Sequence, residues 1–383
     1  MSRAAGAGPR ILHLHSTFSA GGKELRCARL INAFGPQVRH AIVSAEPDRL
    51  EAAAHISKAI PVAYLKDFPP LAGRPGLGRL HRLARAMAGY DLILTYNWGA
   101  MDAVMAHTLF GQSLGLARLI HHEDGFNSEE QTRLKPGRNW YRRIALGRAS
   151  GLVVPSETLE RIALEVWDQP IGRVRHIPNG VDTARFGQPC RPDALRGVIK
   201  RPGELWVGTL AGLRPVKNLP RLVRAFAPLP PEWQLVIVGE GPEREAIRAE
   251  AARLDIGHQV HLPGFAADPA RFAGLFDIFA LSSDSEQAPI SLIEAMAAGC
   301  PVAATDVGDI AAMVAEPNRS LIAADEGALT AALARLASEP ALRRELGAAN
   351  RDKAKATFDE AAMIAAYRRL YSSAIGGDGL PPV

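Results

Sequence analysis

Short apolar runs recur along this chain, each followed by a stretch in which apolar residues return every three or four positions. In the first half the runs are RILHLHS (10–16), HAIVSA (40–45), DLILTY (91–96), ARLIHHE (117–123) and GLVVPS (151–156). In the second half they are ELWVGTL (204–210), WQLVIVGE (233–240), HQVHLPG (258–264), FDIFALSS (276–283), PVAAT (301–305) and SLIAA (320–324). Near-continuous apolar strands point to sheets buried on both faces, and their alternation with helices makes those sheets parallel. A Pro/Gly/Arg-rich, poorly periodic segment divides the two sets. The expected architecture is therefore α/β, with two doubly wound domains facing a cleft: residues 1–182, a linker at 183–203, and residues 204–355. Ligands of such sheets bind beyond the carboxyl ends of the strands. Near the C-terminus, FDEAAMIAAYRRLY (358–371) spaces Met363, Ile364, Tyr367, Leu370 and Tyr371 as an amphipathic helix, and GGDGLPPV reads as a disordered tail.

Composition narrows the class. A chain of 383 residues, 47% hydrophobic and 22% charged, is globular and long enough for two cores. It has no run of about twenty apolar residues that could span a bilayer, and MSRAAGAGPR at the start has no apolar secretion signal. Cys27, Cys190 and Cys300 are scattered and odd in number. They suggest neither a disulfide framework nor a metal-ligand spacing, which fits a cytoplasmic location. The formal net charge of +5 is uneven, with 23 Lys and Arg against 16 Asp and Glu over residues 1–182. A basic first half suggests an anionic surface or acceptor rather than nucleic acid. GRLHRLARAMAGY (78–90) sets Leu80, Leu83, Ala84 and Met87 on one helical face and Arg79, Arg82 and Arg85 around the other. A second basic cluster is Arg133, Lys135, Arg138, Arg142 and Arg143. Two readings stand side by side: the solvated face of a core-packed helix, or a peripheral dock on the inner face of an anionic membrane.

The densest chemistry is in SEQAPISLIEAMAAGCPVAAT (285–305). Seven residues separate Glu286 from Glu294 across the start of a helix. Pro289 suits the first turn, and Gly299 suits a left-handed helix end. The N-H groups of Ala288 and Ile290 and the positive end of the helix dipole would seat phosphate. Flanking carboxylates would read hydroxyls, which together describes a nucleotide-sugar site; the plainer reading is an amphipathic helix carrying two glutamates. Gly21 and Gly22 in SAGGKELR (19–26) allow close backbone approach. Arg214 and Lys217 in LAGLRPVKN (210–218) could neutralise a diphosphate. HIPNGVD (176–182) contains an Asn-Gly turn. RLIHHEDGF (118–126) brings His121, His122, Glu123 and Asp124 to a strand end, where adjacent histidines point to opposite faces. With no third ligand at suitable spacing, a metal site there is rejected. Asn97 and Trp98 end another strand and could form part of an acceptor surface, or Trp98 could be core. Gly239 and Gly241 in GEGPERE (239–245) suggest a dinucleotide fingerprint, but Arg244 stands where its third glycine belongs.

From about Leu12 to Tyr371 the chain resembles the retaining family 4 glycosyltransferases, through its E-x7-E spacing, GGKE, PVKN and IPNGVD. The resemblance implies a GT-B fold of two Rossmann-like domains, with a C-terminal helix (356–375) returning to the first. It implies metal-independent transfer from a nucleotide-diphosphate sugar to a glycan, lipid-linked or small-molecule acceptor, with no cofactor, in envelope or exopolysaccharide synthesis. By the same resemblance Glu286 positions the transferred sugar, Glu294 holds the ribose, and Lys217 stabilises the leaving diphosphate. His121 contacts the donor sugar from the other domain, with His122 as rival. Gly21 and Gly22 face the diphosphate, Gly239 and Gly241 lie near base and ribose, and Asn97, Trp98, His122 and Asp124 fall on the acceptor side. The chain departs from the family in three places. Gly212 stands where the family has arginine, making Arg214 the candidate substitute. Gln287-Ala288-Pro289 replaces Gly-Phe-Gly, giving a stiffer loop and an amide for a sugar hydroxyl. Asp309 replaces a common glycine. The competing functions are a nucleotide-sugar epimerase on the same fold, an NAD-dependent oxidoreductase, and a non-catalytic nucleotide or glycan binder.

Overall fold

The computed structural model describes residues 8–126, 130, 134–377 and 379–381. The chain divides into two compact units: residues 1–178 with 363–383, and residues 179–362.

The first unit is built on a seven-stranded parallel sheet of β1 (Arg10–His15), β2 (Arg39–Ser44), β3 (Val62–Tyr64), β4 (Leu92–Tyr96), β5 (Leu119–His122), β6 (Gly151–Val154) and β7 (Val174–His176), in spatial order β3-β2-β1-β4-β5-β6-β7. The second holds β8 (Leu205–Leu210), β9 (Trp233–Val238), β10 (Val260–Gly264), β11 (Ile278–Leu281), β12 (Val302–Thr305) and β13 (Ile322–Ala323), in order β10-β9-β8-β11-β12-β13. The central strands are buried on both faces and their residues divide between two apolar clusters per sheet, which is why they read as unbroken apolar runs. Strand order reverses at β1/β4 in one sheet and β8/β11 in the other, the switch points where ligands of such sheets bind. Local chemistry starts several helices: Ser156, Asp182 and Asp325 cap helices by accepting from the backbone N-H three residues on.

Two stretches differ from the expectation, while the C-terminal helix joins the first unit as expected. Residues 183–203 are not a free linker. Thr183–Phe186 is a short helix, and Phe186 and Leu195 are buried in the core of the second unit. The apolar positions of this stretch follow neither a helical nor a strand period. The C-terminal region is two helices with separate loyalties. Pro340–Thr357 packs on the second unit, where buried Asn350 donates to the Cys300 carbonyl at 3.0 Å. Glu360–Ile375 gives Met363, Tyr367 and Tyr371 to the core of the first. The expected disordered tail is partly docked, because Leu380 is buried and its N-H bonds Ser372 Oγ at 3.1 Å.

Candidate functional site

In the second unit the residues of interest gather on the loops after β8, β9, β11 and β12. The first loop ends in a 3-10 turn, Pro215–Lys217, followed by Asn218 in the left-handed region (φ 43°, ψ 49°), which starts the helix Leu219–Phe226. Lys217 Nζ lies 2.5 Å from Glu286 Oε1, and the same oxygen accepts from Ser283 Oγ at 2.8 Å. Side-chain exposures of 17% and 10% place this ion pair largely out of water, where charge interactions are stronger. The loops carrying it are tied together. Asp284 N-H donates to the Val216 carbonyl at 2.8 Å, and Ser282 Oγ reaches the carbonyls of Lys217 and Asn218 at 3.0 Å. Arg221 bonds Asp284 at 2.7 Å, and Thr305 Oγ1 donates to the Ser283 carbonyl at 2.7 Å.

Arg214 is exposed, and its guanidinium folds back over the preceding glycine. A β-carbon built on Gly212 would stand 3.4 Å from Arg214 Nε. The guanidinium thus occupies the space beside residue 212.

Helix Ile290–Ala298 follows, with Pro289 as its N-cap rather than within the first turn. Pro289 keeps an extended ψ of 122° because the loop before it is held by other elements. Asn179 Nδ2 donates to the Ala288 carbonyl at 3.1 Å, and Asp309 N-H to the Gln287 carbonyl at 3.0 Å. That contact gives the Asp309 position a role: its backbone props the loop after Glu286. Gln287 Oε1 is a buried acceptor without a hydrogen-bond partner. Glu294 lies about one turn into the helix and is 8% exposed. Gly299 closes the helix at φ 84°, as its sequence position implied.

The loop after β9 shows why its glycines are there. At Gly239 (φ 149°) a β-carbon would lie 1.8 Å from the Ala211 carbonyl oxygen, and at Gly241 (φ 155°) 2.4 Å from that of Leu213. Close packing of this loop on the one after β8 accounts for both without a dinucleotide.

In the first unit, Gly21 is the N-cap of helix Gly22–Phe34, whose first turn holds Glu24 paired with Lys23. The β5 end is an internal network. His121 is fully buried, with Nδ1 2.8 Å from Thr95 Oγ1, while Nε2 has no hydrogen-bond partner and stands 3.8 Å from Glu123. His122 is buried on the opposite face. Its Nδ1 lies 3.2 Å from the Thr95 carbonyl and its Nε2 2.8 Å from Tyr371 Oη, so it locks the C-terminal helix to the sheet. Burial, reinforced by Arg26, pushes its pKa down to about 3. Asp124 is held in a two-point pair with Arg26 at 2.5 and 2.9 Å. Burial pushes that carboxyl up, and the guanidinium overcomes it and holds it below the usual range. Asn97, at a positive φ of 55°, accepts from Asp124 N-H at 2.7 Å. Trp98 packs edge-on to Tyr141, with Arg138 and Arg142 each 4.9 Å from its ring.

The basic face also changes. Arg79 bonds Asp102 at 2.6 Å and the Pro70 and Leu71 carbonyls, so it staples the fold instead of facing solvent. Arg142 is fully buried against Glu123 and Glu130. Arg133 lies outside the described residues. Arg82, Arg85, Lys135 and Arg143 are exposed. The sequence reading missed the tethers Ser282, Ser283, Asp284, Arg221 and Thr305; SSDSE offered a signal, but one common to many loops.

Residues 20–185 match the model of Glycosyltransferase Family 4, and residues 194–353 match that of Glycosyl transferases group 1. The chain is 28% identical over 319 residues to Bacillus subtilis EpsF, a protein itself named a glycosyltransferase only by inference, covering 78% of this chain and 79% of the relative. It is 32% identical over 200 residues to the GDP-mannose-dependent phosphatidylinositol monomannoside mannosyltransferase of Mycolicibacterium smegmatis, spanning about half of each (48% and 52%). Among solved structures, Anabaena HepE in complex with UDP superposes with a TM-score of 0.77 at 19% identity, covering 95% of this chain and all (100%) of that one. Sucrose-phosphate synthase of Thermosynechococcus elongatus gives 0.73 at 24%, covering 95% and 98%. With both halves matched in order and two Rossmann-like sheets in place, the chain belongs to the family 4 glycosyltransferases of GT-B fold.

Proposed function

We propose that this glycosyltransferase takes its sugar from a nucleotide-diphosphate donor, retains the anomeric configuration, and needs no metal for the transfer step. The observation that carries the reading is the Lys217–Glu286 pair at the β8/β11 switch point, with Glu294 on the helix that follows. Lys217 and Arg214 supply cationic charge for a leaving diphosphate, the task a divalent ion performs elsewhere. Glu294 accepts from the ribose hydroxyls. Glu286, aimed by Lys217 and Ser283, orients the transferred sugar, and the unpaired Gln287 Oε1 offers an acceptor for a sugar hydroxyl. For front-face retention, the departing phosphate oxygen takes the acceptor's proton.

The acceptor is a glycan or lipid-linked saccharide of surface polysaccharide synthesis, handled in the cytoplasm. The mannosyltransferase relative, named for a phosphatidylinositol acceptor, supports the lipid-linked form. Exposed Arg82, Arg85 and Lys135, with Trp140 65% exposed, support docking on an anionic bilayer. No helix among the described residues is long and apolar enough to cross a membrane.

A thermal-shift screen across UDP-, GDP-, ADP- and CMP-sugars identifies the donor. NMR of the product, with and without added magnesium or manganese, then reads configuration and the metal dependence of transfer. An inverted product, or transfer that requires added magnesium or manganese, refutes the corresponding part. Donor turnover without any acceptor would favour the epimerase.

A further inference from the structure

The first unit holds a cluster outside the proposed transfer chemistry. Side chains two apart on a strand share a face, so His13 and His15 of β1 point the same way. The helix Gly22–Phe34 crosses that face and sets Cys27 against them. All three are buried, at 2%, 0% and 1% exposure. One potential ligand atom from each lies within 4.8 Å of the others, and Cys27 Sγ is 3.4 Å from His13 Nδ1. Around a tetrahedral zinc, nitrogen and sulfur ligands stand about 3.3–3.6 Å apart. One edge of that tetrahedron is already present.

His15 provides the independent sign. It is fully buried, and neither ring nitrogen has a hydrogen-bond partner. Nearly all buried polar groups are satisfied. The cluster around it also has the layout of a ligand set. His13 Nε2 lies 3.0 Å from His40 Nδ1, so the tautomer that donates to His40 leaves His13 Nδ1 with a lone pair directed at Cys27. Tyr96 Oη stands 3.2 Å from His13 Nδ1 and 3.6 Å from Cys27 Sγ, and its ring stacks on His15 at 3.9 Å.

We propose that His13, His15 and Cys27 form a structural site for a zinc-class divalent cation, with Tyr96 Oη at the fourth position. One thiolate and two imidazoles select such an ion over magnesium or calcium. Burial keeps His13 and His15 neutral, the form that ligates. It pushes the Cys27 thiol up to about 12, so the ion must displace that proton to solvent as it binds. Two cations lie near, Lys23 and Arg26, but each is paired, with Glu24 and Asp124. The bound ion would pin β1 to the helix that begins at Gly22, independently of how sugar transfer proceeds. Cysteine spacing along the chain suggested no metal site, because its partners are on a strand and meet Cys27 only through strand-helix packing.

The test uses full-length protein from cells grown with added zinc and, separately, cobalt. Elemental analysis should find about one metal per chain, and the cobalt form should show a thiolate-to-cobalt charge-transfer band with tetrahedral d-d bands. Cys27→Ala and His15→Phe, each checked for a cooperative melt, should lose the metal and the band. If a variant fails to fold, the thiolate band of the wild type decides alone. Wild type without stoichiometric metal, cobalt protein without a thiolate band, or folded Cys27→Ala with full metal content overturns the proposal.

Discussion

Lys217 Nζ and Glu286 Oε1 stand 2.5 Å apart although 69 residues separate them in sequence. Strand order brings them together, because β8 and β11 are neighbours in the sheet and each residue lies on the loop leaving one of them. Lys217→Ala should therefore act twice, removing the charge offered to the leaving diphosphate and releasing Glu286 from its hold. We expect kcat to fall by about 10²-fold or more. Glu286→Gln should lower kcat while changing donor Kd little. Single-turnover kinetics with titrated donor separate the two, and kcat near wild type in Lys217→Ala would remove the lysine from the chemistry.

Glu294→Ala should weaken the donor rather than slow the step. A carboxylate accepting from ribose hydroxyls contributes roughly 1.5–3 kcal/mol per bond, so Kd should rise at least about ten-fold. Calorimetry with the nucleoside diphosphate alone is the cleanest reading, since no sugar is present. Unchanged affinity in a folded variant would place Glu294 outside the site.

Arg214 folds over the Gly212 α-carbon, where the family's arginine would begin. If it substitutes for that arginine, Arg214→Ala should lower kcat by as much as Lys217→Ala or somewhat less, and the double change Gly212→Arg with Arg214→Ala should recover part of the loss. A silent Arg214→Ala means that this chain has dispensed with the second cation.

The buried imidazoles make stability depend on acid. Burial drives His40 to about 4 and His122 to about 3, and neither is among the proposed metal ligands. Their folded pKa values lie below the unfolded value of about 6.5, so the unfolded chain binds more protons between the two. Their stabilisation is complete above about pH 6.5 and is lost as pH falls towards 4, at up to about 1.4 kcal/mol per pH unit per group. Urea midpoints should drop steeply between pH 7 and 4.5, and Tyr371→Phe, which unpairs His122 Nε2, should lower them at neutral pH. A flat profile over that range would contradict the burial of these rings.

Liposome co-sedimentation tests the basic face. Arg79 and Arg142 hold the fold together, so the informative variant is Arg82→Gln with Arg85→Gln and Trp140→Ala. Each exposed cation near an anionic surface contributes about 1 kcal/mol at low salt. Binding should require anionic lipid, weaken with salt and fall in the variant. Equal recovery with neutral vesicles would end the docking idea.

The sequence by itself determined the α/β class, most of the strands, the Gly299 helix end and the family. These depend on local regularities: unbroken apolar runs for strands buried on both faces, left-handed backbone for glycine, and motifs on loops at fixed spacing. It missed β3 because a three-residue edge strand at 62–64 is too short to show a pattern. It took 183–203 for a linker because the residues that dock it, buried Phe186 and Leu195 with half-buried Cys190, Ala194 and Val198, follow neither a helical nor a strand period. Three further features were decided only by tertiary structure. HHED could have been a ligand-facing row, yet sheet packing spends His122 on Tyr371 and Asp124 on Arg26. An arginine stripe at helical spacing could have been wholly solvated, yet Asp102 takes Arg79 from it. Nothing linear links His13 and His15 to Cys27, because a strand and a helix meet through the shape of the core, and that shape is set by residues distant from all three.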